Sequence, residues 1–340
     1  MDNKHFKYLL NQIHILPLKC KAPGFTLIEL LVAIVIGSIA ISGLLSLIVQ
    51  LLRTDRQEFV RSETQNDMRM ALNYISQELR EAVYIYDGNC LQGQQDNSST
   101  PQNEYCPGIV NHIRIPSNSI PVLAFWKLEP LPLECQNTTN QTNNLCNPFL
   151  LSGRTYSLIV YFLRRNQANE GWQGQSRITR YELNQFNNTS NNFRKTDGYV
   201  SPTASGTSFR TWPRRQENGE WSNLQTELPP LSNGETLVDF VDARGSDSEP
   251  CDPANSEYVP SPSSTTLGNS FAGVRSFYAC VRVANAVNQQ NQQQTGLNQD
   301  VIVFLRGNTN GRQGNNNGNF LPTLQTQVLG RGVIDKQPPQ

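Results

Sequence analysis

The sequence contains few histidines and no excess of charge of either sign. Its three histidines are His5, His14 and His112, and 28 basic side chains balance 28 acidic ones. A zero net charge gives no general attraction to nucleic acid. The cysteines form neither a Cys-x-x-Cys pair nor a cluster with histidine, so we predict no zinc site.

Catalytic motifs are also scarce. The sequence has no Gly-x-Ser-x-Gly elbow of the serine hydrolases, although it leaves open a Ser-His-Asp arrangement around His112. Acidic side chains in residues 239–252 (DFVDARGSDSEPCD) offer oxygen ligands to calcium, but their spacing differs from that of an EF-hand loop. A solvated acidic turn is the interpretation we prefer for this stretch. We therefore predict no enzyme activity, no catalytic residue, no metal and no cofactor.

A long apolar run lies near the N-terminus. Residues 25–52 are 28 residues with Glu29 as the single ionisable side chain, whereas a helix needs about 20 apolar residues to cross a bilayer. A buried helix of a soluble protein is the alternative, but few globular cores hold a helix of this length. We predict a transmembrane helix over residues 25–52. A charge near the bilayer centre costs about 2.5 to 3.5 kcal/mol on insertion scales, so Glu29 requires a partner or a function.

The residues before this run are basic. Lys4, Lys7, Lys19 and Lys21 outnumber the single acid Asp2. By the positive-inside rule, this excess keeps the N-terminus in the cytoplasm and places the C-terminal domain on the periplasmic or outer side of the inner membrane. An ordinary secretory signal is cut after its apolar segment, but no suitable site follows residue 52. Cleavage before the run would keep it as a membrane anchor.

The basic leader, Gly24 and the sequence FTLIELL (residues 25–31) resemble the class III signal of type IV pilins and type II secretion pseudopilins. The resemblance implies that residues 1–24 are a prepilin leader, removed by a peptidase that cuts between Gly24 and Phe25 and then methylates the amine of Phe25. It also implies that Glu29 pairs with the N-terminal amine of a neighbouring subunit. Pro23 departs from the family pattern, in which a basic or small polar residue precedes the glycine.

Beyond residue 52 the apolar residues recur at helical spacing. Leu72, Ile75, Leu79 and Val83 are three or four residues apart, and charged residues are expected on the other faces, among them Arg61, Glu63, Arg69, Glu78 and Arg80. We predict an amphipathic helix over residues 53–86 that continues the transmembrane helix and ends at the turn-forming sequence DGN (residues 87–89). A plain membrane anchor followed by a separate short coil is the alternative.

The rest of the chain is typical of β-structure. Six segments are rich in β-branched and aromatic residues, and they predict one antiparallel sheet packed on the apolar face of the helix. These segments are residues 121–128, 155–165, 176–183, 236–242, 274–283 and 300–306. We predict an α+β, pilin-like fold with a β-rich exoplasmic domain over residues 87–330 and a flexible tail over residues 331–340. Asn/Gln-rich loops such as residues 285–299 and 307–320 would be solvated spacers.

The seven cysteines divide into one in the leader and six outside the membrane. Removal of Cys20 with the leader leaves an even number, which indicates three disulfides in an oxidising compartment. The sequence alone leaves the pairing open. We predict the pairs that are close in sequence, because each encloses an asparagine-rich or proline-rich loop. These pairs are Cys90–Cys106, Cys135–Cys146 and Cys251–Cys280.

One polar segment combines arginine with tryptophan. Residues 209–221 (FRTWPRRQENGEW) contain Trp212, Arg214, Arg215 and Trp221. Such side chains can stack on, and form charged hydrogen bonds with, a glycan or a single-stranded nucleic acid. A loop folded onto its own domain is the alternative, and we prefer it.

Three classes of function remain. The chain is a minor pilin or pseudopilin that assembles into a filament, a membrane-anchored module that binds glycan or DNA, or an anchored hydrolase that uses His112. We favour the first class. The 316 residues that remain after removal of residues 1–24 resemble, in size and plan, the large minor pseudopilins of the J-type and PilW-like groups.

A narrower resemblance involves two further segments. Residues 82–88 (AVYIYDG) and 121–127 (PVLAFWK), together with the N-terminal signal, resemble the pseudopilins of the hormogonium polysaccharide secretion system of filamentous cyanobacteria. This resemblance implies polysaccharide export and gliding motility. The implied partners are other minor and major pilins, the prepilin peptidase, the inner-membrane assembly platform and membrane lipid. Because the tip-most member of the family typically lacks the glutamate, Glu29 implies a position just beneath the tip, in a priming complex.

Overall fold

The computed structural model describes residues 24–93, 105–136, 143–189, 192–231, 234–245, 251, 258–264, 271, 273–282, 299–314 and 320–330. Three predictions lie outside these residues: the leader over residues 1–23, most of the Asn/Gln-rich segment 285–299, and the tail over residues 331–340. The chain consists of two compact units, Met1–Asp55 and Arg56–Gln340. The α+β fold class is confirmed, with a long N-terminal helix and antiparallel sheets.

In the first unit the described residues belong almost entirely to helix α1 (Leu27–Glu81), which extends into the second unit. Apolar side chains between residues 25 and 52 are exposed all around the helix. A helix that is apolar on every face is typical of a membrane span. Among the described residues, α1 is the one helix long and apolar enough to cross a membrane.

In the second unit α1 is amphipathic, as its spacing predicts. The side chains of Met68, Leu72, Ile75 and Leu79 are buried on one face of the helix. They pack against apolar residues from two sheets in a single core. Gly307 lies against the helix, because a Cβ there would come within 2.9 Å of the Met68 side chain.

The helix ends earlier than predicted. α1 stops at Glu81, and Ala82–Ile85 form strand β1 instead of the last helical turn. β1 pairs with a neighbouring strand, where Tyr84 lies opposite Trp126, and this pairing satisfies its backbone in extended form. The sequence DGN is a helix start rather than a simple turn: the Asp87 carboxylate accepts a hydrogen bond from Cys90 N at 2.8 Å and caps helix α2 (Gly88–Gln92).

The strands form several sheets rather than the single sheet predicted. The five-stranded sheet has the order β1-β2-β3-β4-β9, the four-stranded sheet has the order β10-β11-β12-β13, and β5-β6 and β7-β8 are hairpins. Their bounds are β2 Ser119–Pro130, β3 Arg154–Arg165, β4 Ser176–Leu183, β5 Phe186–Thr189, β6 Asn192–Lys195, β7 Arg214–Glu217, β8 Glu220–Asn223, β9 Glu235–Val241, β10 Tyr258–Ser261, β11 Phe277–Arg282, β12 Asp300–Arg306 and β13 Thr323–Leu329. Short helices α3 (Leu133–Gln136) and α4 (Asn143–Cys146) follow β2. All six predicted segments contain strands.

The central strands of the five-stranded sheet are buried on both faces. In β2, Phe125 faces the core shared with α1, whereas its neighbour Trp126 faces a second core on the opposite side. In β3, Ile159 likewise faces the core shared with α1, and Val160 faces the second core. This double burial explains why β3 is almost continuously apolar instead of alternating with polar residues. The second core is covered by loops that include Tyr199 and Trp212.

Part of one predicted spacer is packed rather than solvated. Among the described residues of 307–320, Asn308 and Thr309 are buried. Asn308 Nδ2 donates to the Asp242 carboxylate at 2.8 Å. Arg312 forms ion pairs with Glu63 at 2.8 Å and with Asp67, both on α1. The interpretation of this segment as a solvated spacer is therefore wrong for residues 307–309 and for Arg312, which pack on or bond to the domain, whereas Asn310 and Gln313 are exposed.

A buried carboxylate attaches α1 to the five-stranded sheet. Glu78 accepts hydrogen bonds from Lys127 Nζ at 2.8 Å, from Arg180 Nη2 at 2.8 Å and Nε at 3.0 Å, and from the Tyr161 hydroxyl. These donors come from three adjacent strands, β2, β3 and β4. Burial by itself raises the pKa of Glu78, but the hydrogen bonds from Arg180, Lys127 and Tyr161 outweigh burial and hold the pKa below its ordinary value.

Replacement of Glu78 by glutamine tests this attachment. Glu78→Gln removes the charge from the hydrogen bonds with Lys127 and Arg180, so we expect the free energy of unfolding to fall by about 2 to 3 kcal/mol. This loss of stability is smaller than the loss expected if Lys127 and Arg180 became buried charges without a partner. Glu129 still pairs with Lys127, and Glu182 still pairs with Arg180. Thermal or urea unfolding of the full-length protein in detergent measures the change.

The matched control for this experiment is Glu58→Gln, at an exposed ion pair with Arg61 on the same helix, which should change stability little. The wild-type protein should also lose stability as the pH falls below the ordinary carboxyl pKa of 4.5, because a group with a lowered pKa in the folded state stabilises the fold above that range. The loss of stability at acid pH should be smaller in the Glu78→Gln variant than in the wild type. Equal stabilities of Glu78→Gln and Glu58→Gln would contradict the assigned role.

Three disulfides join the cysteines in the pairs that the sequence suggests. Cys90 bonds to Cys106, Cys135 to Cys146, and Cys251 to Cys280. The first pair lies in the second core, and the second pair in a small separate cluster. The third joins Cys251 to strand β11. The disulfides therefore hold loops against different parts of the second unit.

Peptide mapping without reduction should recover these three pairs. Closing a loop of about 15 residues stabilises a protein by about 3 kcal/mol in the chain-entropy model, and Cys90 and Cys106 are 16 residues apart. We therefore expect the double variant Cys90→Ala, Cys106→Ala to unfold more easily by about that amount. Free thiols among the six cysteines, or peptides linked in other combinations, would show the pairing to be incorrect.

Candidate assembly site and predicted ligand residues

The predicted cleavage site is open in the structure. Gly24, Phe25 and Thr26 precede the first turn of α1. Apart from its chain neighbours, no described residue has an atom within 4 Å of the position that a Cβ on Gly24 would occupy, and Phe25 is 77% exposed. The peptide bond between Gly24 and Phe25 is thus free of packing within the described chain. A peptidase can reach such a bond without unfolding the domain.

Thr26 begins the helix. Its hydroxyl accepts a hydrogen bond from Glu29 N at 3.3 Å, and its carbonyl accepts from Leu30 N at 3.1 Å. A threonine in this position satisfies backbone N–H groups that a helix start would leave without partners. The new N-terminus that cleavage before Phe25 would create therefore lies one residue before a capped helix.

Glu29 lies in the first turn of α1, where the helix dipole favours a negative charge. Its side chain is exposed, and no cation of the described residues lies against it. The surrounding side chains of Leu27, Ile28 and Leu30 are apolar and exposed. In a membrane this carboxylate would have neither water nor an ion-pair partner from the described chain.

Comparison with known families bears on this segment. Residues 20–45 match the model of the prokaryotic N-terminal methylation motif. The match includes Gly24, Phe25 and Glu29 and supports a pilin or pseudopilin subunit. Together with the apolar part of α1, the motif fits a single-pass membrane-anchored protein. Among curated proteins and solved structures, none matches the chain.

The methylation motif does not extend to the predicted ligand segment, and the structure corrects that prediction. Trp212 is fully buried in the second core. Its Nε1–H donates to Val200 O at 2.8 Å, and its ring lies edge-to-face with Trp126 at 5.3 Å between centroids. A buried ring cannot stack on a glycan or a base. The preferred alternative, a loop folded onto its own domain, describes Trp212 correctly.

The other three predicted ligand residues also contact their own domain. Trp221, in β8, packs on Tyr105 at 4.2 Å between ring centroids, and Arg214 Nη1 donates to the Tyr105 hydroxyl at 3.1 Å. Arg215 pairs with Glu217 at 3.1 Å. The segment is therefore a hairpin with internal contacts, and its mixture of arginine and aromatic residues reflects packing rather than an open ligand surface.

His112, the one histidine outside the leader, is not arranged as a catalytic base. It is buried, and its Nδ1 lies 3.0 Å from Gln225 Oε1, so its ring partner is an amide and not a carboxylate. Burial lowers the pKa of His112, and the hydrogen bond to Gln225 opposes that shift. A histidine bound to an amide in a core supports packing better than proton transfer.

The acidic stretch that suggested calcium is occupied by protein groups. Asp242 pairs with Arg244 at 3.0 Å and with Arg306 at 2.9 Å. Asp239 accepts a hydrogen bond from Gly174 N at 3.0 Å. The described residues contain no group of three or more His, Cys, Asp or Glu that could hold a metal ion. Residues 246–250 and 252 of this stretch lie outside the described part of the chain.

Sequence reasoning missed the buried cluster around Glu78, although a signal was present. Glu78 falls between Ile75 and Leu79, on the apolar face of the amphipathic pattern. A charged residue at such a position is rarely buried without partners. The donors Lys127 and Arg180 lie in strands whose register the sequence does not reveal, so the partners could not be assigned beforehand.

The exposed Gly24–Phe25 bond yields a prediction about processing. Sequencing of the mature protein should begin at Phe25, with a methylated amine. Gly24→Val should block processing, since a branched side chain crowds the scissile bond, and leave an unprocessed precursor in the membrane. Gly43→Val, at another open glycine of the same helix, is the control and should be processed normally. A mature protein that retains Lys19 and Lys21 would contradict the assignment.

Proposed function

We propose that this protein is a minor pilin or pseudopilin, a structural subunit of a type IV pilus-like or type II secretion-like filament. The observation that supports this proposal most strongly is the methylation motif at the start of α1. The same helix later contributes the buried face of Met68, Leu72 and Ile75 to the core of the second unit. The helix would thus contain the processing signal, anchor the protein in the membrane and form part of the domain core. This combination suits a subunit whose domain enters the filament together with its membrane helix.

Glu29 would select assembly over diffusion in the membrane. Alone in lipid, its carboxylate is costly, because the described chain offers it no cation. Beside the methylated ammonium of a neighbour's Phe25, the carboxylate gains a charge pair in a medium of low dielectric, where attraction is much stronger than in water. The negative charge of Glu29 would thus be neutralised when the subunit docks onto its neighbour.

The same logic suggests where the subunit would lie. A subunit at the extreme tip has no neighbour above it to supply an amine, so it has no use for a carboxylate in this position. This chain has Glu29. We therefore place it just beneath the tip, in a small priming complex with other minor pseudopilins. Its further partners would be the prepilin peptidase, the inner-membrane assembly platform and membrane lipid, with the second unit in the periplasm.

We further propose that the filament serves polysaccharide secretion and gliding motility. Two segments, residues 82–88 and 121–127, carried the resemblance to cyanobacterial polysaccharide secretion pseudopilins. They are adjacent in the fold: Ala82 lies opposite Lys127, and Ile85 lies opposite Phe125, in the β1–β2 pair. One paired element thus contains both segments, which is the expected arrangement if they are a shared structural feature rather than two chance similarities.

The charge-pair proposal is tested at Glu29. Glu29→Ala and the isosteric Glu29→Gln should leave cleavage at Gly24 and membrane insertion intact, because neither depends on docking. Both should reduce co-purification with other pseudopilins about ten-fold, which corresponds to about 1.4 kcal/mol. Glu58→Ala, at an exposed position of the same helix, is the matched control and should co-purify normally. If both Glu29 variants assembled and supported secretion like the wild type, this residue would be only a recognition mark for the peptidase.

A further inference from the structure

A cleft of about 500 Å³ lies in the second unit, away from the N-terminal motif. Its walls come from Phe149 in the turn after α4, from residues 195–201 beginning at the end of β6, and from residues 224–227 after β8. This volume falls within the roughly 300 to 1,000 Å³ typical of small-ligand sites. Neither the methylation motif nor the filament proposal assigns a role to this cleft.

The backbone on one side of the cleft is held in place by buried side chains. Gln225 Nε2 donates to Gly198 O at 2.9 Å and to His112 O at 3.1 Å. Trp212 Nε1 donates to Val200 O at 2.8 Å. Trp212, which looked like a ligand residue in the sequence, therefore supports this wall of the cleft. A wall fixed in advance reduces the entropy lost on binding.

Two side chains of the cleft lining, Thr196 and Gln185, have polar atoms without a hydrogen-bond partner among the described residues. Gln185 is 5% exposed, and its side-chain amide makes no hydrogen bond with the residues that the structure describes. Its backbone carbonyl already accepts from Thr196 N at 2.8 Å, so the peptide is fixed while the amide lines the cleft. An amide at the wall of a cleft can bond to water in the free protein and to a hydrogen-bonding ligand in the complex.

The charges of the cleft limit the kind of ligand. Lys195 and Glu227 are exposed, and within the described residues neither has an ion-pair partner, whereas Asp197 pairs with Arg194 at 3.0 Å. The charge of Asp197 is thus already balanced, and Lys195 and Glu227 leave the lining with one positive and one negative group that have no ion-pair partner among the described residues. A ligand with a net charge of either sign would be attracted by one of these groups and repelled by the other. A neutral ligand that both donates and accepts hydrogen bonds suits this lining best.

The cleft lining also includes apolar side chains. Phe149 is partly buried, packs edge-to-face on Phe186 at 5.9 Å between centroids, and borders the cleft. Leu224 also borders the cleft. A sugar ring has hydroxyl groups on its rim, which donate and accept hydrogen bonds, and apolar C–H groups on its faces. The cleft offers both kinds of surface.

We propose that this cleft binds a neutral sugar unit of a polysaccharide, with Gln185, Lys195 and Glu227 bonding its hydroxyl groups and Phe149 packing against its ring. The site follows from the lining, and the choice of a secreted polysaccharide as the source of the sugar rests on the proposed function. The subunit would then hold the exported polymer as well as assemble. Binding by the isolated chain does not require assembly, so the two proposals can fail separately.

The test uses the full mature chain in lipid nanodiscs and calorimetric titration. The probes are neutral oligosaccharides from the polysaccharide that the cells secrete, with acidic oligosaccharides from the same material as comparison. Gln185→Leu keeps the size of the side chain and removes its amide, so we expect affinity for the neutral probe to fall about ten-fold. Glu227→Gln should weaken binding less, because an amide still accepts hydrogen bonds.

The matched control is Gln325→Leu, an exposed glutamine on β13 outside the cleft lining, which should bind like the wild type. All variants should have the wild-type melting temperature and filament content. The proposal is overturned if the wild type binds no neutral oligosaccharide, if Gln185→Leu and Gln325→Leu bind equally, or if only acidic probes bind. Gln185-dependent binding by a protein that never enters filaments would support the cleft and reject the filament proposal.

Discussion

The buried carboxylate of Glu78 is the interaction on which the arrangement of the second unit depends. The apolar stripe of α1 alone would tolerate a shift by one turn, because Leu72, Ile75 and Leu79 are similar in size and chemistry. A carboxylate that must reach donors on β2, β3 and β4 at once allows a single position of the helix. A buried ion pair often adds little net stability over apolar side chains of similar size, so in this protein we assign it the role of fixing the position of the helix. The five-stranded sheet is thereby held to one face of α1.

Glu78 and Glu29 of α1 have opposite surroundings, and the proposal that α1 assembles with another subunit depends on this contrast. Glu78 is saturated by donors from its own chain, whereas no cation of the described residues lies against Glu29, which sits among exposed apolar side chains. Within the second unit, the buried face of the helix is already occupied by the two sheets. The segment around Glu29 is left for lipid or for another subunit. The methylation motif at this segment agrees with the second use.

Much of the fold could be predicted from sequence because its signals are local. Helical spacing indicated α1, and runs of β-branched and aromatic residues indicated the six main strands. The end of α1 was wrong because the pairing of Tyr84 with Trp126 overrides helical spacing in residues 82–85. The separation into two main sheets depends on long-range pairing, which residue type does not encode. For Trp212 the sequence left two interpretations, a ligand surface and the preferred folded loop, because burial depends on the fold around the residue. The amide of Gln185 gave no signal in sequence.

The most direct test of the account asks whether the protein enters filaments. Surface filaments sheared from cells can be separated from membranes, and mass spectrometry of both fractions can quantify this protein against the major subunits. The account predicts that the protein is present in the filament fraction in small amounts relative to the major subunits, and that its N-terminal peptide there begins at Phe25. Intact filaments that lack the protein, with all of it in the membrane fraction, would contradict the account.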